Sequence, residues 1–237
     1  MIKRIVNKIK RRYALRNERA FVKYLRENGV RIGDGCHIGE PKTVTIDITR
    51  PYLVEIGNMV RMNKGFTLLT HDFATSVLTN VYGEFIPSSG KVKIGNNVYF
   101  AQKCTVMKGV TIGDNCIIGY GSLVTRDIPS NSVVAGSPAR VICTIEEYYE
   151  KRKIKSLEES LELAREIART QERRPIPADF REEFIFFVSG NEVDKYPEIP
   201  IKHQLTTMGD CYEKWVKEHK AIYGSFDDFL EAAGITK

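Results

Sequence analysis

The sequence predicts a mainly β chain: a solenoid of short parallel strands, with a helix before it and a helical extension after it. Between Lys91 and Arg140 apolar lead residues recur every six positions, at Ile94, Phe100, Val106, Ile112, Ile118 and Val124. A small or apolar residue stands four places after each, at Val98, Cys104, Val110, Cys116, Ser122 and Ile128. Past Thr144 the spacing changes to three and four, at Ile154, Leu157, Leu161, Ala164 and Ala168, which is the stripe of an amphipathic helix. A period of six fits neither a helix nor a flat strand alone. It fits a stack in which short strands wind round a prism and one side chain per face points inward. Gly95, Ala101, Gly113 and Gly119 follow lead residues, where a small side chain allows a tight corner.

Residues 1–29 read as a basic amphipathic helix. Ile2, Ile5, Val6, Ile9 and Tyr13 share one face, among Lys3, Arg4, Lys8, Lys10, Arg11 and Arg12. Ten basic and two acidic residues up to Val30 give +8, against +6 for the whole chain, so the basicity is local. Such a helix caps the open end of a solenoid core, or makes peripheral contact with an anionic membrane surface. No nucleic-acid motif accompanies the charge.

Residues 30–142 read as the solenoid. Ile32, Ile38, Val44, Ile56, Met62 and Leu68 keep the six-residue phase, with Arg50 the one departure. From Leu68 to Ile94 the spacing is not a multiple of six, so residues 72–90 are an insertion: polar, with Gly83, Pro87 and Gly90. A loop of that length in a tight repeat is usually functional. Residues 143–237 read as a helical extension stopped and restarted at Pro175 and Pro177, strongly aromatic from Phe180 to Val188. A helix follows over Tyr212–Ile222, and another is capped by Ser225 with Gly234 at its end.

Composition bounds the function. Hydrophobic residues make up 42% and charged residues 28% of 237, ordinary for a globular chain. No apolar run reaches the ~20 residues of a membrane span. The opening segment lacks the apolar core of a signal peptide, which gives a cytoplasmic expectation. The five cysteines show no CxxC spacing, and Cys36, Cys104 and Cys116 fall on inward positions, so free buried thiols are expected rather than a metal site. Of the four histidines, His37 falls on an outward position, His219 sits among charges on a surface helix, and His203 has no assigned context. His71 stands where the phased run FTLLTHD meets the insertion.

From Thr70-His71-Asp72 through the loop to KVKIGNNVYFAQKCTVMKGVTIGDNCIIGYGSLVTRDIPSNSVVAGSPARVI, the sequence resembles the hexapeptide-repeat acyltransferases. Within that family it is similar to the galactoside, maltose and capsular-polysaccharide O-acetyltransferases. The resemblance covers about residues 56–142 well and 30–55 weakly. It implies a left-handed parallel β-helix with three six-residue faces per coil, a homotrimer, and acetyl-CoA as co-substrate with no metal. It implies His71 as catalytic base on a sugar hydroxyl, and Gln102 as oxyanion donor through its backbone N–H. Glu84, in YGEF, resembles a family glutamate that orients the imidazole, with Asp72 the local alternative. The cofactor-binding positions implied are Ala101, Gln102, Gly119 and Tyr120 along the pantetheine arm, Thr125 and Arg126 near the nucleotide, and Arg140 near the phosphates. The expected acceptor is a saccharide or surface-polysaccharide precursor. An N-acetyltransferase acting on an amino-sugar nucleotide or small amine is the alternative chemistry, and a non-catalytic β-helix scaffold the alternative class. A γ-class carbonic anhydrase needs three metal-binding histidines, and no such set is apparent.

Overall fold

The computed structural model describes residues 10–206 and 211–236 and divides into two units, 1–149 and 150–237. Residues 1–9, with most of the apolar stripe expected of the basic helix, lie outside the described residues. Helix α1 (Glu18–Glu27) follows them. Asn17 caps it, its side chain accepting from the Ala20 N–H at 2.9 Å, and Phe21 and Leu25 join the solenoid core.

Twelve strands then wind in four coils. They are β1 (Arg31–Ile32), β2 (His37–Ile38), β3 (Thr45–Ile46), β4 (Val54–Ile56), β5 (Arg61–Met62), β6 (Thr67–Leu68), β7 (Val92–Ile94), β8 (Val98–Phe100), β9 (Thr105–Val106), β10 (Thr111–Ile112), β11 (Cys116–Ile118) and β12 (Leu123–Val124). Every third strand stacks in parallel, which makes three faces. Face 1 runs β1-β4-β7-β10, face 2 begins β2-β5-β8-β11, and face 3 runs β3-β6-β9-β12. In the regular coils, partners are 18 residues apart, such as Thr111 with Lys93 and Cys116 with Val98. Across the insertion they are 38 apart, such as Val92 with Val54. Face 2 continues through β13 (Ser132–Gly136), where β14 (Ala139–Thr144) turns back antiparallel and ends the stack.

Each lead residue shares the core with the residue two places before it: Val92 with Ile94, Val98 with Phe100, Cys104 with Val106, Cys116 with Ile118. The glycines after lead residues on face 1 answer to the next coil. A Cβ on Gly57 would lie 2.5 Å from the Gly95 carbonyl oxygen, and one on Gly95 2.7 Å from the Gly113 carbonyl carbon. The turn itself falls two residues later, where Asn97, Asn115 and Asn131 hold φ of 54°, 56° and 60°, a region asparagine tolerates. Their amides form a ladder, Asn97 to Asn115 at 2.9 Å and Asn115 to Asn131 at 3.0 Å.

The first coil breaks the expected phase. Ile46, not Val44, pairs with Leu68, because a 3-10 turn at Pro41–Thr43 adds two residues before the strand. A second such turn, Pro51–Leu53, restores the phase at Ile56 and leaves Arg50 in a corner rather than a core position. The insertion contains helix α2 (Thr75–Tyr82), closed by Gly83 at φ 73°.

In the second unit, α3 (Ile145–Gln171) brings Ala164 into a core with Phe180, Phe184, Phe186, Phe187, Val188, Phe229 and Leu230. Rings meet edge-on or tilted, as Phe180 with Phe229 at 5.2 Å. Phe180–Val188 forms 3-10 turns, not strand or long helix. Helices α4 (Ile201–Thr206), α5 (Tyr212–Glu218) and α6 (Phe226–Ala232) follow. Ser225 caps α6, accepting from the Asp228 N–H at 3.1 Å. The α5 helix ends earlier than its sequence pattern, where His219 turns its Nε2 to the Ile185 carbonyl at 2.7 Å and stacks on Trp215. No helix among the described residues is long and apolar enough to cross a membrane.

Candidate active site

His71 leaves the end of β6 in the corner after face 3, where the chain departs into the insertion. The neck of the insertion is held by backbone: His71 bridges Ser89 antiparallel, and the Gly90 N–H donates to the Thr70 carbonyl at 2.9 Å. Asp72 accepts from the Ala74 N–H at 3.0 Å and is gripped by Lys108, which also reaches Ser88. The Lys108 ammonium, then that N–H, hold the Asp72 carboxyl down to about 2.

The ring of His71 is fixed by Asp47, a residue that the sequence patterns did not single out. Its Oδ2 lies 2.6 Å from His71 Nδ1. Oδ2 also accepts from the Thr70 hydroxyl at 2.5 Å and the Thr70 N–H at 3.2 Å. Oδ1 accepts from the Thr49 hydroxyl at 2.7 Å and the Thr49 N–H at 2.9 Å. Asp47 is buried at 7% exposure. Burial alone would push its carboxyl up, but the Thr49, Thr70 and His71 donors outweigh it and hold it far below the usual carboxylate range. An ionised carboxylate only accepts, so Nδ1 of His71 donates to it and Nε2 is the ring nitrogen free of Asp47. His71 is 30% exposed at its side chain, open enough to meet a substrate.

Glu84 stands elsewhere. It is exposed beyond α2, and its backbone carbonyl accepts from Thr79 Oγ1 at 3.0 Å. The carboxylate on the imidazole is therefore Asp47 rather than Glu84 or Asp72. The two-residue slip explains why the pattern hid it, since it moves Asp47 out of the assumed phase. A buried-position carboxylate directly before a Thr-rich corner, one coil from His71, was the available signal. His37, on its outward position, has its Nδ1 2.8 Å from a Glu18 carboxylate oxygen.

The positions assigned to the cofactor fall on two corners. Ala101 and Gln102 follow β8, and Gly119 and Tyr120 follow β11, so all four lie in the corner after face 2. Ala101 N–H is spent on the Ile118 carbonyl at 2.9 Å and Gly119 N–H on the Val134 carbonyl at 2.7 Å. Gln102 N–H has no protein acceptor among the described residues, which suits a donor to a substrate oxygen. Tyr120 is 62% exposed, with the Lys103 ammonium 5.6 Å from its ring centre. Thr125 and Arg126 follow β12, in the same corner as His71 and two coils on. Arg140 is exposed on β14, one of its Nη groups donating to the Ala139 carbonyl at 2.9 Å. The width of face 3, six residues of which two are strand, separates His71 from Gln102 within one chain, at most roughly 20 Å along the face.

The six-residue repeat matches a class of bacterial transferases. A family model described as "Bacterial transferase hexapeptide (six repeats)" matches residues 91–126. Protein CapG of Staphylococcus aureus is 37% identical over 127 residues, covering 54% of this chain and 73% of CapG. The galactoside O-acetyltransferase of Escherichia coli (strain K12) is 37% identical over 131 residues, covering 52% of this chain and 64% of that enzyme. A maltose O-acetyltransferase from Clostridium difficile 630 superposes with a TM-score of 0.42 and 25% identity, over 58% of this chain and 83% of that one. The chain belongs to the hexapeptide-repeat acetyltransferase family.

Proposed function

We propose that this protein is an acetyl-CoA-dependent O-acetyltransferase acting on a saccharide hydroxyl, with His71 as general base. The observation that carries the reading is the Asp47–His71 pair at the neck of the insertion. A scaffold has no use for a buried carboxylate that accepts five hydrogen bonds, from one imidazole and from Thr49 and Thr70. In the reaction, Nε2 takes the hydroxyl proton as the oxygen attacks the thioester carbon. The Gln102 N–H stabilises the resulting oxyanion. Collapse breaks the C–S bond, and the imidazolium returns its proton to the leaving CoA thiolate.

In this reading residues 30–142 carry the chemistry, their coils wind left-handed, and the work is done in the cytoplasm on a polysaccharide precursor. The segment before Val30 caps the core through Phe21 and Leu25, and its basic residues offer peripheral contact with an anionic membrane surface. Acetyl-CoA-dependent thiol release across a panel of sugars, nucleotide sugars, oligosaccharides and amines tests the assignment. Turnover confined to amines would replace it with N-acetylation.

The two corners require two chains. His71 of one copy meets Gln102 and Tyr120 of a neighbour, which three-sided prisms achieve in a homotrimer. Light scattering is expected to give three times the 27.0 kDa chain mass. A monomer at working concentration would contradict this and leave the site incomplete.

Arg140 offers a guanidinium to the CoA phosphates. Arg140→Ala is expected to weaken CoA by ~1.5–3 kcal/mol and dephospho-CoA by less, measured by calorimetry. Equal losses would place Arg140 away from the 3′-phosphate.

A further inference from the structure

Arg50 occupies a position where the repeat calls for an apolar lead residue. In the structure it stands in the corner after face 3, in the first coil, half-buried at the start of the Pro51–Leu53 turn. The residue before it, Thr49, has its hydroxyl 3.4 Å from His71 Nδ1. Arg50 is thus rooted beside a side chain that touches the base.

The carboxylates around this corner are already engaged. Asp47 is taken by Thr49, Thr70 and His71. Asp72 is taken by Lys108 and Ser88, and Glu55 by Arg31, Lys91 and Lys93. Among the described residues none of these is left to pair with the guanidinium of Arg50, a half-buried residue. Such a group is stabilised when an oxyanion arrives, and its fork matches carboxylate and phosphate alike.

We infer that the acceptor is an acidic saccharide, and that Arg50 binds its carboxylate or phosphate and so sets the neighbouring hydroxyl against Nε2 of His71. The inference rests on the acetyl-transfer reading and narrows its substrate class. It gives Arg50 a specificity role, while the proton transfer stays with His71.

The test measures CoA thiol release with matched acceptors of the gluco, galacto and manno series: neutral methyl glycosides, methyl uronosides and sugar 1-phosphates. The wild type is expected to favour an acidic member over its neutral counterpart by ~10-fold or more in kcat/KM. Arg50→Gln should cut that preference by ~10- to 100-fold, chiefly through KM, and Arg50→Lys should restore part of it. Which acidic arm responds separates a uronate from a phosphate. Neutral acceptors used as well as acidic ones, or a preference that Arg50→Gln leaves intact, would overturn the inference while acetyl transfer stands. No thiol release by the wild type with any acceptor would overturn both. Should Arg50→Gln fail to fold, wild-type salt dependence decides: KM for the acidic acceptor should rise with NaCl, and a flat KM sinks the idea.

Discussion

His71→Ala is expected to lower kcat for acetyl transfer by ~100- to 10,000-fold, the usual worth of positioned proton transfer. CoA affinity should change little, because the imidazole acts on the acceptor hydroxyl. Folding should survive, because His71 is part-exposed in a corner and contributes nothing to the buried apolar stack. A variant with near-normal turnover on a verified acceptor would remove His71 from the mechanism.

Asp47→Asn separates orientation from proton transfer. The amide keeps the size of the carboxylate but loses the charge and the fixed acceptor for Nδ1–H. The ring can then present the wrong tautomer, and kcat should fall by roughly 100-fold or more. KM for acetyl-CoA should hold, because Asp47 is buried behind the imidazole and acts only through it. Stability supplies a second readout. Asp47 is depressed in the fold, so its contribution is present above the unfolded carboxyl pKa of ~3.9 and is lost as pH falls below that. The wild type should melt above Asp47→Asn at pH 7, and the gap should shrink on acidification. A gap equal at pH 7 and pH 3 would show that ionised Asp47 does not stabilise the fold.

The regular coils were legible because each face demands one inward side chain every six residues, and from Ile94 to Val124 nothing interrupts that demand. His71 was legible because the period stops there. Asp47 was not. Its place depends on one short turn, Pro41–Thr43, which shifts the row by less than a whole repeat. Two extra residues move a side chain to another row, so a fixed period assigned Val44 the place that Ile46 holds. The insertion helix Thr75–Tyr82 was hidden for a different reason. Its Val77 and Val81 are exposed, at 62% and 64%, so no buried stripe marks it. The aromatic run Phe180–Val188 is buried on many sides at once, and such a segment carries no period to read.

A coil stack is in principle a template without end, since each turn offers the next a full row of unpaired backbone groups. This chain closes both ways out. Beneath the first coil, α1 sets Phe21 and Leu25 against the core. After the last, β14 runs against the direction of every strand before it on face 2, with Ala135 opposite Arg140. Neither surface continues the winding that a second copy would need to extend it. The homotrimer proposed above would use the sides of the prism, where a rotation returns to its start after a few copies. The reversal at β14 blocks the other route, a fibre of unlimited length built by continued winding.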